Sequence, residues 1–113
     1  MKRREVWLVN LDPTIGAEIQ KTRLCVIVNQ DALAKLPLKI IIPLTSWDER
    51  YANAPWHVKV IPTRQNGLKN ESSADTFQVR SSSEKRLVKK SGLLDPLVME
   101  EINQALAISL ALD

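Results

Sequence analysis

Apolar positions fall in short runs along most of this chain and switch to helical spacing only near its end. Glu5 to Leu11 and Leu24 to Asn29 read as two strands. Lys39-Ile40-Ile41-Ile42-Pro43-Leu44-Thr45 is short and β-branched, as suits a buried strand. Pro43 has no amide hydrogen, so pairing should weaken there and the strand should bend or lie at an edge. His57 to Ile61 alternates polar and apolar, and Thr63 to Ser72, with Asn66-Gly67, reads as a connecting loop. Ala74 to Ser81 alternates again, which predicts a strand with Phe77 and Val79 on one face and Thr76, Gln78 and Arg80 on the other. Ser83 to Leu87 reads as one capped helical turn, and Lys89 to Gly92 as a last short strand or its exit. Beyond it, Asp95 can cap a helix that Pro96 begins, and Glu100 and Glu101 lie toward the positive end of its dipole. Val98, Ile102, Ala105, Leu106 and Ser109 recur on one face of that helix. The pattern is mainly β with a C-terminal α-helix, and predicts a small, strongly curved sheet or partly open barrel. Residues 1–113 read as one domain, without repeats or low-complexity tracts.

The connection between the first two strands breaks the economy of this pattern. Hairpins usually turn in two to five residues, whereas Asp12 to Arg23 spans about a dozen. It carries Pro13, Gly16, Glu18 and two cations, Lys21 and Arg23. A long charged loop on a small β scaffold is a natural place for binding or catalysis. Arg23 stands just before a strand, where it either grips a phosphate through paired hydrogen bonds or pairs locally with Glu18 or Asp12. Thr45, at the far end of the isoleucine strand and followed by Ser46, either donates to a phosphate oxygen or caps a turn.

Charge sharpens the choice of partner. The net charge is only +3, but no Lys or Arg occurs from Leu93 onward. Residues 1 to 92 therefore hold sixteen bases against nine acids, a formal +7. A basic body suits a phosphate backbone. Segment 46 to 56 adds Trp47, Tyr51 and Trp56 beside Arg50, rings on which unpaired bases stack or which lid the core. The basic run Arg80, Lys85, Arg86, Lys89 and Lys90 reads first as a solvated face. One His and one Cys cannot assemble a zinc-type ligand set or a nucleophile–histidine pair, and no phosphate-binding glycine motif is present. No metal and no cofactor are expected. The lone Cys25 lies in an apolar run and reads as a buried hydrophobe in a reducing compartment. No apolar stretch is long enough to span a membrane, and a soluble cytoplasmic protein is expected.

Several of these residues occur together in one known family. The order strand, Asp12-Pro13-Thr14-x-Gly16-x-Glu18, then Arg23 before a β run, resembles the MazF/PemK toxins of type II toxin-antitoxin systems. Leu44-Thr45-Ser46, Asn66-Gly67-Leu68, Gln78-Val79-Arg80-Ser81 and the terminal helix continue the resemblance through nearly the whole chain. It implies a small SH3-like barrel, a homodimer, a cognate antitoxin partner and metal-independent cleavage of single-stranded RNA by 2′-hydroxyl attack. By position it implies that Arg23 and Thr45 are catalytic, with Glu18 and Gln78 along the RNA groove. Lys21, Ser46, Trp47 and Arg80 are the further residues expected to meet RNA, and the loop becomes a flap with Arg23 at its hinge. The alternatives are a same-fold toxin that poisons gyrase by binding alone and a non-catalytic RNA-binding module. The chain departs from the family pattern at Ile19, Lys21 and Leu24, and in Asp75-Thr76-Phe77.

Overall fold

One strand, Leu38–Ser46, touches three others and bends between them; it is β3 in a chain whose computed structural model describes residues 1–112. Before it come β1 (Glu5–Asn10) and β2 (Thr22–Ile27), and after it β4 (His57–Val60), β5 (Ser72–Asp75), β6 (Arg80–Ser83) and β7 (Leu87–Leu93). The helix α1 (Pro96–Leu110) follows. All pairings are antiparallel, in the order β4-β5-β3-β2-β1-β7, with β6 also on β3. The first half of β3, Leu38 to Ile41, pairs with β6, and its last three residues, Leu44 to Ser46, pair with β5. Pro43 sits at the switch between them, where a strand residue without an N–H does least harm. The result is a curved seven-stranded sheet whose outer strands β4 and β7 do not pair, so it stays open.

Apolar runs in β2 and β3 are continuous because both faces of these strands are buried. Val26, Val28, Ile42 and Leu44 join a core under α1 with Met99, Ile102 and Ala105. Cys25, Ile27 and Ile41 face a second core with Val9, Leu11 and Leu87. In α1, Asp95 accepts the Leu97 amide at 2.7 Å and Pro96 opens the first turn. Glu100 and Glu101 stand beyond that first turn, so they gain less from the dipole than their place in the sequence suggests.

The stretch Ala74 to Ser81 is not one strand. A 3-10 turn at Thr76–Gln78 separates β5 from β6. Asp75 causes the break, because its carboxylate accepts the Phe77 amide at 3.2 Å and turns the chain as a cap would. Thr76 is then drawn inside, donating to Trp56 O at 2.7 Å and bonded to Ser109 Oγ at 2.9 Å on α1. Phe77 is turned out, 73% exposed, rather than inward with Val79.

Candidate active site

The β2–β3 ladder pairs Cys25 with Pro43 and then stops. Continued in the same register it would set Arg23 opposite Thr45. Instead Arg23 stays with Val9 of β1, while Thr45 crosses to Ser73 of β5. The parting strands open a cavity of about 620 Å3. Leu8, Leu24, Leu44 and Leu68 line it together with the hydroxyl residues Thr22, Thr45, Ser46, Ser72 and Ser91. Four cations line it too, Arg23, Lys69, Lys89 and Lys90, and no carboxylate does. Like charges gathered over an apolar surface focus an attractive field on anions. Arg23 is exposed and its Nε donates to Gln20 O at 3.2 Å. The carboxylates offered as its local partners are engaged elsewhere: Glu18 accepts the Ile15 amide at 2.6 Å, and Asp12 accepts Lys21 N at 3.0 Å. Of the four cations only Lys90 has an ion pair among the described residues, with Glu5 at 3.4 Å. Burial pulls the Glu5 carboxyl upward, but Trp7 Nε1, the Lys2 main chain, the N-terminus and Lys90 together hold it below the usual range.

The far wall of this cavity is a loop built on one buried side chain. Asn66 Oδ1 accepts the amides of Thr63 and Leu68, both at 3.0 Å, and its Nδ2 donates to Ile61 O at 2.9 Å. Gly67 then has φ +71°, and a Cβ there would lie 2.5 Å from Ser91 O of β7. That close approach brings Leu68, Lys69 and Asn70 to the cavity beside Lys89 and Lys90.

A second cavity, about 340 Å3, lies under the long loop. Ala17, Glu18 and Ile19 line it from the loop, Pro43 from β3, and Phe77, Gln78, Val79 and Arg80 from the turn and β6. Gln78 clasps the loop with both ends of its amide: Oε1 accepts Ile19 N at 2.7 Å and Nε2 donates to Ala17 O at 3.1 Å. The loop closes its own neck through Leu11 N to Lys21 O at 2.9 Å. It is a fastened loop, so a flap that swings freely is not what its hydrogen bonds describe.

The structure thus brings Arg23, Thr45 and Ser46 to one cavity and Glu18, Gln78 and Arg80 to the next, with Pro43 and Thr45 two residues apart along β3. Lys21 and Trp47 line neither. Trp47 packs edge-on to Tyr51, donates to Glu49 at 3.0 Å and lies under the Lys59 ammonium. His57 stacks on Tyr51 with ring centroids 3.8 Å apart and bonds Ser73 Oγ at 2.7 Å, which gives it a packing role. Burial pushes the Cys25 thiol up to about 12, so it is no nucleophile near neutral pH. Among the described residues no group of three His, Cys, Asp or Glu could hold a metal ion, and no helix is long and apolar enough to cross a membrane. Sequence reasoning passed over Lys69 and Asn70 and left Lys89 and Lys90 as a solvated face. The one signal for them was Asn66-Gly67, a turn placed to fold Lys69 back on the basic strand.

Comparison with known proteins bears on this arrangement. Residues 2–110 match the family described as PemK-like, MazF-like toxin of type II toxin-antitoxin system. Endoribonuclease EndoA of Bacillus subtilis (strain 168) is 30% identical over 113 residues, 99% of this chain and 96% of that protein. A crystal structure of MazF from Deinococcus radiodurans superposes with a TM-score of 0.81 at 18% identity, covering 98% of this chain and 96% of that one. An endoribonuclease in complex with its cognate antitoxin from Mycobacterial species gives 0.80 at 19% identity, over 100% and 97%.

Proposed function

The chain belongs to the PemK-like, MazF-like toxins of type II toxin-antitoxin systems, and on that footing we propose that it is an endoribonuclease that cuts single-stranded RNA at the cavity between β2 and β3. Relatives named endoribonucleases support the activity. The observation that carries the site is the lining itself: four cations, no carboxylate, an apolar floor, and Arg23 with Thr45 at the parting strand ends. Cations draw the phosphate in, and leucine side chains give a base an apolar surface.

In this reading the ribose 2′-hydroxyl attacks the adjacent phosphorus. The O2′–P bond forms, the P–O5′ bond breaks, and the products are a 2′,3′-cyclic phosphate and a 5′-hydroxyl. The proton lost from O2′ is balanced by the one gained at O5′. Arg23 neutralises charge on the pentacovalent phosphorane and aids that proton transfer, and Thr45 Oγ1 donates to a non-bridging oxygen. Lys69, Lys89 and Lys90 hold the flanking phosphates as point charges. Ser46 stands beside Thr45 for a further oxygen, while Glu18, Gln78 and Arg80 at the second cavity meet the neighbouring nucleotide. Lys21 and Trp47, off both cavities, are peripheral contacts of the same strand. The partner that silences the activity is a cognate antitoxin, the working unit is a homodimer, and the compartment is the cytoplasm.

The chemistry is tested by incubating the protein with a long single-stranded RNA in EDTA and identifying the new ends. Cyclic phosphate and 5′-hydroxyl ends, with cleavage abolished by a 2′-deoxy nucleotide at the cut, are expected. Intact RNA, or ends bearing a 5′-phosphate, overturns the reading.

A further inference from the structure

Three successive main-chain carbonyls at the entry to the long loop, those of Asn10, Leu11 and Asp12, are each met by a guanidinium from β6 or from the turn that follows it. Arg86 Nη1 donates to Asn10 O at 3.2 Å and also to Asp12 O. Arg80 Nη1 donates to Leu11 O at 3.3 Å. Arg86 itself is firmly mounted. It ends the 3-10 turn Glu84–Arg86, which Ser83 caps by accepting Lys85 N at 3.2 Å. The first residue of that turn, Glu84, pairs at 3.3 Å with Lys39, an ammonium that is 1% exposed. Lys39 Nζ also donates to the carbonyls of Ala34, Leu36 and Leu38, so the turn is anchored to the interior.

Two of the three carbonyls under these guanidiniums, those of Leu11 and Asp12, belong to the residues that close the neck. Leu11 donates its amide to Lys21 O, and the Asp12 carboxylate accepts the Lys21 amide. Arg23 follows Lys21 by two residues and is tied to Gln20 O. Arg86 lines neither cavity, so its contacts are with the loop rather than with the space where a substrate would sit. We infer that Arg86 is a positioning residue: it holds the entry carbonyls of the loop, fixes the neck against Lys21, and so sets where the Arg23 guanidinium stands. The catalytic consequence rests on the proposed RNA cleavage, whereas the effect on the neck does not.

The test compares wild type with Arg86→Ala and Arg86→Lys. Arg86→Ala should lower kcat by about tenfold or more, since small misplacement of a reacting group is costly, while KM stays within about twofold and keeps its salt dependence. Arg86→Lys should recover most of the rate, because a single nitrogen serves both carbonyls in the wild type and an ammonium can do the same. Independently of RNA, amide exchange at Leu11 and Lys21 should quicken about tenfold in Arg86→Ala and return in Arg86→Lys, with α1 amides unchanged in all three as the check on folding. A raised KM with a flatter salt slope would make Arg86 a phosphate contact and overturn the inference. Unchanged exchange at Leu11 and Lys21 would overturn it as well. Wild type that cuts no RNA defeats the proposed function alone, and the exchange rates then decide the role of Arg86.

Discussion

Lys21 holds a backbone conformation, φ +69°, that side chains other than glycine adopt at a cost. It can do so because its amide and carbonyl close the loop neck on Asp12 and Leu11. Lys21→Val should therefore cost about 1–2 kcal/mol in urea unfolding, as a β-branched residue is forced left-handed. Lys21→Gly should leave stability nearly unchanged, since conformational relief offsets added chain entropy. One of the chain's departures from the family pattern is thus a left-handed backbone position, suited to glycine, that is filled by lysine. Arg23 and Thr45 stood out in the sequence because each stands where an apolar run meets a polar stretch, but their residue chemistry left two roles open for each, and only the family resemblance chose the catalytic one. Their common cavity was not legible, since it depends on where one ladder stops. Whether Arg23 is paired locally was equally hidden, and turned on which amides Glu18 and Asp12 accept.

At the scale of elements, the wall of the cavity depends on the loop around Asn66. Asn66→Ala removes the acceptor of two amides and the donor to Ile61 O. It should destabilise the protein by about 2–3 kcal/mol, the cost of buried polar groups left unpaired, as measured by urea unfolding. A loss below about 0.5 kcal/mol would mean that the loop is held by something else. The strands themselves were readable because β2 and β3 are apolar on both faces and α1 has a cap, a proline and a face. The turn at Thr76–Gln78 was not readable. Period-two alternation from Phe77 to Arg80 looked like strand, but the Asp75 side chain competes for the Phe77 amide and wins locally. Gln78 and Arg80 nonetheless reach the same cavity, by a different backbone route than alternation implied.

Over the whole molecule, basic side chains gather from three separate segments onto one opening, while the terminal helix contributes acids and no cation. Length and charge made a basic body visible in the sequence, but lysines carry no mark of which loops converge. Glu5 is the counterweight in this field, holding Lys90 and Trp7. Its folded carboxyl is lowered, so the stability it adds is complete above the ordinary glutamate range and fades as pH falls through the folded value. The stability gap between wild type and Glu5→Gln should be widest near neutral pH and close on acidification, in urea melts at descending pH; a constant gap would show no linkage. In the proposed mechanism the cleavage centre lies where β2 parts from β3. The decisive measurement is single-turnover cleavage of one defined RNA in EDTA by wild type, Arg23→Ala and Thr45→Ala. Both substitutions should slow cleavage by about a hundredfold or more without loss of folded stability. If either variant cleaves at the wild-type rate, the cleavage centre lies elsewhere.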